Sequence, residues 1–275
     1  MSKTWFVTGA SSGIGLHLTE QLLARGERVA ATRRKPGALD ALARQYGQQL
    51  WLATLDITDT QALRQVVDRA FAELGRIDVV VSNAAYGLFG AAEELQDVQI
   101  RQQIDTNLIG AIQLIRAVLP HLRAQGGGRI QQVSSEGGQI AYPNFSLYHA
   151  SKWAVEGFVE SVAQEVAPFG IEFTLVEPGP SATGFKDALV SPPPMAVYDD
   201  TPAGAVRRAV ASGEFAVTGD VRKIARAMIE SAGSQPAPRR LLLGAGAYER
   251  VRAALQERLH ALQAQREVAC STELD

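Results

Sequence analysis

Tyr148 and Lys152 stand four residues apart in the run Tyr148-His149-Ala150-Ser151-Lys152. On a helix that spacing puts both side chains on one face, about one turn apart. A phenol ionises near pH 10 and is a poor acid or base at neutral pH. An ammonium roughly 5 Å away, at an effective dielectric of about 20, contributes ~3 kcal/mol, or about two pKa units. The pair therefore predicts a tyrosine drawn toward the range where general acid–base catalysis is efficient. Ser134-Ser135, just upstream, offers a hydroxyl to the same reaction centre. The spacing alone arises by chance in about one such sequence in ten. A plain surface pair is the alternative unless the rest of the chain builds a site around this face.

The N-terminal stretch begins to build one. Thr4-Trp5-Phe6-Val7-Thr8 is β-branched and aromatic, and reads as a buried strand. Gly9-Ala10-Ser11-Ser12-Gly13-Ile14-Gly15 follows, then a helical stripe of Ile14, Leu18, Leu22 and Leu23 ending at Gly26. Strand, glycine-rich turn and helix together place a pyrophosphate on backbone N–H groups at a helix N-terminus. Gly9 allows the tight turn, Gly13 lets phosphates approach the backbone, and Gly15 lets the helix pack on the strand. The spacing is G-x-x-x-G-x-G, not the G-x-G-x-x-G of the common dinucleotide fingerprint. The second strand, Arg28 to Thr32, is followed by Arg33-Arg34-Lys35, with no acidic residue between Glu27 and Asp40. An acidic residue there would bond a ribose 2′-hydroxyl, whereas an arginine cluster suits a 2′-phosphate. NADP(H) is the expected cofactor, with an ordinary solvated basic loop as the alternative.

Strands and helices then alternate as a doubly wound α/β fold requires. Leu50 to Asp56 is a third strand. Leu63, Val66, Val67, Ala70, Phe71 and Leu74 form a helical stripe behind an Asp59 cap. Asp78 to Ser82 is a fourth strand, too apolar to be anything but central. A long helix carries Ile104, Leu108, Ile112, Ile115 and Leu119, with Asn107 one residue off the stripe, and a fifth strand ends at Val133. Ligands in such sheets sit outside the carboxyl ends of the strands, so the glycine turn, Asn83 and Ser135 converge on one crevice. The expected architecture is a mostly parallel, seven-stranded Rossmann sheet with helices on both faces, as one domain over residues 1–275. Hydrophobic residues are 46% and charged residues 20% of the chain, and net charge is −2. That balance gives no electrostatic case for nucleic acid or an anionic membrane. The only cysteine is Cys270, no apolar run reaches membrane-spanning length, and no secretory leader precedes the first strand, so a cytoplasmic protein is expected. His17, His121, His149 and His260 lack metal-ligand spacing, and no metal is expected.

Taken together, Thr8-Gly9-x-x-x-Gly13-x-Gly15, Asn83-Ala84-Ala85, Asn107, Ser135, Tyr148-x-x-x-Lys152 and Pro178-Gly179 resemble the motif set of the short-chain dehydrogenase/reductase family, in order, over roughly residues 4 to 185. The resemblance implies that Tyr148 is the catalytic acid/base and that Lys152 lowers its pKa and holds the nicotinamide ribose. It implies that Ser135, thirteen residues before the tyrosine, binds the substrate oxygen in preference to Ser134. Asn107 would organise a proton-relay water, and Asp56 would contact the adenine edge. Pro178, Gly179 and Thr183 would cover the nicotinamide. Ser11, Ser12, Ile14, Ile57, Asn83 and Ala84 complete the implied cofactor contacts, with Gly9, Gly13, Gly15, Arg33 and Arg34. Ser82 and Ala85 replace the more usual Asn and Gly around Asn83. Ser12 stands where many NADP-preferring relatives carry a basic residue, which leaves that preference to Arg33 and Arg34.

Beyond Lys152 the helix runs through Val155, Phe158, Val159 and Val162, and Gly170 to Val176 is a sixth strand. Long helices of this kind pair across subunits in the family, which implies a homodimer or homotetramer. Residues 180 to 218 lose periodicity, and Ser191-Pro192-Pro193-Pro194 fits neither sheet nor helix interior, so a substrate lid is expected. Phe185, Leu189, Met195 and Tyr198, with Phe89, Ile140, Tyr142 and Phe145, would wall an apolar pocket or else seal the core edge. Lys186 is the only cation there for an anionic substrate. A strand at Arg239–Leu243 and a final helix striped by Val251, Leu255, Leu259 and Leu262 complete the domain. Two functions stay open: hydride transfer between NADP(H) and an apolar alcohol or carbonyl substrate, and a nucleotide-binding regulator or scaffold without turnover.

Overall fold

The computed structural model describes residues 2–185 and 188–274. Seven strands form one sheet in the order β3-β2-β1-β4-β5-β6-β7. They are β1 Thr4–Val7, β2 Arg28–Arg33, β3 Leu50–Thr54, β4 Val79–Ser82, β5 Gly128–Val133, β6 Ile171–Pro178 and β7 Arg240–Leu243. Every pairing is parallel. The chain winds outward from β1 to β3, returns, and then winds the other way from β4. The switch point therefore lies between β1 and β4, where such sheets open a crevice.

Residue alternation along the strands separates two apolar layers. Trp5 and Val7 of β1, Val29 of β2 and Val79 and Val81 of β4 face one side, against Leu18 and Leu22 of α1 (Gly13–Ala24) and Ile224 and Met228 of α8 (Val221–Ser231). Phe6, Ala30 and Val80 face the other. There they meet Leu63 and Val67 of α3 (Thr60–Leu74), Leu114 and Val118 of α5 (Gly110–Ala124), and Val159 of α6 (Ser146–Val166). Burying each such side chain is worth about 1.5–3 kcal/mol. The Asp59 cap forms as expected, its carboxylate accepting from Ala62 N.

Two expectations need correction. The stretch 180–218 is not irregular throughout, because α7 (Pro202–Ser212) lies inside it. Pro202 sits in the first turn, the Thr201 hydroxyl accepts from Ala203 N at 3.2 Å, and left-handed Gly213 ends the helix. The final helix, α9 (Ala245–Ala264), buries only Ala247 and Val251. Leu255, Leu259 and Leu262 are exposed, so the apolar stripe is covered only over its first two turns. Lys186 lies outside the described residues. Short helices α2 (Asp40–Tyr46) and α4 (Asp97–Ile104) fill the remaining connections, and α10 (Arg266–Cys270) follows α9. No described helix is long and apolar enough to cross a membrane.

Candidate active site

At the switch point, Thr8 and Asn83 tie β1 to β4. Asn83 N and Ala84 N donate to Thr8 Oγ1 at 2.9 and 3.2 Å, and Asn83 Nδ2 donates to the carbonyls of Thr8 (2.9 Å) and Gly9 (3.2 Å). The Asn83 amide thus clips the glycine turn in place. Gly9 and Gly13 have φ of +64° and +53°, and a Cβ on Gly9 would lie 2.9 Å from Ala84 Cα. A Cβ on Gly15 would run into the backbone carbonyl of Gly9, so no larger residue fits there. Ser12 caps α1 without a side-chain hydrogen bond, and the first turn carries no acidic residue. The N-terminal N–H groups therefore face the crevice with no carboxylate competing for them, which suits a pyrophosphate.

A cavity of about 700 Å³ runs from this turn to the substrate end. Ser11, Ile14, Arg33, Arg34, Asp56 and Ile57 line its nucleotide half. Asp40 holds Arg33 in an ion pair, which the sequence did not announce, whereas Arg34 is exposed and makes no ion pair among the described residues. Asp56 is fixed by Thr58, whose N and Oγ1 donate at 3.0 and 2.7 Å and hold the carboxyl below the usual range. The glycine cradle and the free helix end fit the pyrophosphate of a dinucleotide.

Tyr148 and Lys152 reach the same cavity from α6. Lys152 Nζ lies 5.6 Å from the Tyr148 ring centroid and donates to Val133 O at 3.0 Å. The expected downward pull on Tyr148 does not appear. Burial pushes its phenol up to about 12, the Ser135 hydrogen bond opposes this, and Glu136 adds to it. The lysine is turned to the carbonyl at the end of β5, and its own loss of hydration brings it down to about 8, with Glu156 opposing. Both groups are thus shaped mainly by desolvation.

Their partners separate the two serines. Ser134 Oγ donates to Glu156 Oε1 at 2.6 Å, into a buried cluster where Arg240 joins Glu156 (2.6 Å) and Glu177. Burial, with Glu156 nearby, raises Glu177 to about 7. Ser135 Oγ accepts from Gly137 N at 3.1 Å and borders the cavity beside Tyr148. Asn107 is not among the residues that line the cavity, but its amide reaches Ser151, the neighbour of Lys152. It lies buried in a π-helical turn, Asp105–Ile109, where its side chain accepts from Tyr86 N (3.1 Å) and donates to Tyr86 O (2.9 Å) and Ser151 Oγ (3.3 Å). Its amide is fully engaged in joining the Tyr86 loop to α6.

Pro178, Gly179 and Thr183 border the junction of the two halves. Of the expected apolar walls, Tyr142, Phe145, Phe185 and Leu189 line the substrate end, the Phe185 and Tyr148 rings 5.4 Å apart. Phe89, Ile140, Met195 and Tyr198 do not. Phe89 packs behind Phe145 at 4.9 Å, and the Tyr198 hydroxyl bonds Glu93 at 2.7 Å. Tyr86, Val210, Phe215 and Val217 replace them. Most of these come from the lid, and only folding over the site identifies them. His149 is buried among Tyr142, Phe145 and Tyr148, and neither ring nitrogen has a partner among the described residues.

Residues 3–193 match the family model described as short chain dehydrogenase. The chain is similar to oxidoreductase BOA17 of Botryotinia fuckeliana (strain B05.10), 38% identical over 250 residues, 90% of this chain and 91% of that one. The crystal structure of a short-chain dehydrogenase from Streptomyces avermitilis superposes with a TM-score of 0.92 at 35% identity, covering 100% of both chains. A short-chain dehydrogenase from Burkholderia cenocepacia, solved in complex with NADP, superposes with a TM-score of 0.74 at 26% identity, covering 94% of this chain and 96% of that one.

Proposed function

The chain belongs to the short-chain dehydrogenase family, and from that premise we propose that it is an NADP(H)-dependent oxidoreductase interconverting an apolar alcohol and its ketone or aldehyde. One observation carries the reading. Ser135, Tyr148 and Lys152 border a single cavity whose other end holds the glycine turn, Arg33 and Arg34. When bound there, the nicotinamide would give or take the hydride. The protein's own residues handle the substrate oxygen. Tyr148, protonated at neutral pH, is the acid that carbonyl reduction requires. The Ser135 hydroxyl donates to the same oxygen and steadies its developing charge. Lys152, brought down to about 8 by its loss of hydration, borders the same cavity beside the tyrosine ring. Aromatic and aliphatic walls with few convergent polar groups favour an uncharged, apolar substrate.

Tyr148→Phe tests this most directly, since the ring still packs and only the hydroxyl goes. Turnover should fall by ~10²–10⁴-fold, with the Kd for NADPH nearly unchanged. A variant keeping more than about a tenth of wild-type kcat refutes the acid/base role. Intact NADPH binding with no carbonyl turnover by the wild type would instead favour the regulator reading. Titration at fixed ionic strength should show tighter binding of NADP+ than of NAD+, and the double change Arg33→Ala, Arg34→Ala should weaken NADP+ far more than NAD+. Equal affinities in the wild type would refute the cofactor preference.

A further inference from the structure

The C-terminal helix touches the active site through one charged side chain. Glu136 directly follows Ser135 and is 1% exposed. Arg250, on the second turn of α9, grips its carboxylate with Nη2 at 2.9 Å from Oε1 and 2.8 Å from Oε2, and with Nε at 3.1 Å from Oε2. Tyr142 Oη donates to Oε1 at 2.9 Å. Tyr142 also lines the substrate end of the cavity, with its ring edge-on to His149 (4.7 Å) and Phe145 (5.9 Å). The hydroxyl is thereby fastened to Glu136, which leaves the ring as the tyrosine's contribution to the wall.

A carboxylate this deeply buried is untenable without a partner. Helix α9 does not need the pair to stay attached. Ala247 and Val251 are buried beneath it, Ala247 stands close over Gly179, and Arg258 donates to Gln139 O at 2.7 Å. Buried ion pairs are seldom the cheapest way to stabilise a fold, and their attested use is fixing one geometry among several.

We propose that Arg250 is a positioning residue that sets substrate fit: it holds Glu136, and Glu136 turns the Tyr142 hydroxyl away from the substrate so that the pocket wall is apolar. The inference rests on reading this cavity as a carbonyl or alcohol site. Without Arg250, Glu136 loses its cation and its fixed orientation, and the Tyr142 hydroxyl is free to turn into the pocket.

The test uses 1-indanone as probe with the full-length protein and NADPH. Arg250→Met should raise KM at least about tenfold and change kcat less than about threefold, with the Kd for NADPH unchanged. Arg250→Lys, which keeps the charge but loses the fork, should restore most of the loss, and it carries the test by a smaller KM rise if Arg250→Met does not fold. Where turnover is too slow, the Kd of 1-indanone for the NADP+-loaded protein replaces KM. Tyr142→Phe removes the hydroxyl at issue, so adding Arg250→Met to it should raise KM by less than about threefold. A purely structural role would give the same added loss in both backgrounds, and that result, or an unchanged KM in the single variant, overturns the proposal. Failure of wild type to bind 1-indanone, or full activity of Tyr148→Phe, would overturn the underlying reading instead.

Discussion

His149 shows how far one residue's surroundings decide its chemistry. It follows Tyr148 and is buried, and burial lowers its ring to about 4 from an ordinary 6.5. The unfolded chain therefore takes up the proton first as pH falls. Stability from this group is complete above pH 6.5 and is lost as pH drops through that window toward 4. By pH 5 the loss is about 2 kcal/mol. Denaturant unfolding of wild type and His149→Leu at pH 7 and pH 5 should show the difference between them shift by that amount toward the variant; a constant difference would exclude His149 as the cause. The sequence made Tyr148, Lys152 and Ser135 legible through spacing, and all three reached the cavity. Their ionisation was not legible. Lys152 is close to Tyr148, but how strongly water is removed from each group depends on walls from distant parts of the chain. Asp40 is a similar case: its pairing with Arg33 leaves Arg34 and Lys35 as the cations of that cluster without an ion pair among the described residues.

Elements were legible where their pattern was local. Strands, the Asp59-capped helix and the glycine turn all follow from short-range periodicity, whereas the lid does not. Helix α7 is fastened by contacts that cross 59 and 113 residues. Arg207 Nη2 meets the buried Glu94 Oε1 at 2.5 Å across 113 positions, and Glu94 also accepts from Met195 N at 2.8 Å. Asn144, in the left-handed region at φ 69°, donates from Nδ2 to Ala203 O at 2.7 Å. Arg207→Met would leave Glu94 buried and without its cation, a change typically worth about 3–5 kcal/mol when a pair is fully buried. Because Arg207 is partly exposed, the lower end applies, and the cost falls on the lid. Hydrogen exchange across residues 202–212 should quicken at least about tenfold, with β4 and β5 unchanged. Equal exchange in variant and wild type would show that the ion pair does not hold α7 down.

For the molecule as a whole, strand order divides the work between its two halves. The glycine turn, Arg33, Arg34 and Asp56 all stand on elements completed by residue 60, whereas Ser135, Tyr148 and Lys152 come from the opposite winding. Alternation of strands and helices was enough to expect this sheet. The Glu136–Arg250 pair was out of reach because its members stand 114 residues apart, and neither belongs to a motif. That separation also orders events during synthesis. A nascent chain displays its nucleotide cradle early, acquires its acid/base pair near mid-length, and finishes its substrate wall only once Arg250 has emerged. A chain stopped after β7 would carry every strand of the sheet and all three residues assigned to the chemistry, yet leave Glu136 without its cation. Under the proposed roles, such a fragment would be a nucleotide binder with an unfinished pocket, so assembly of the cofactor site would not signal a finished enzyme.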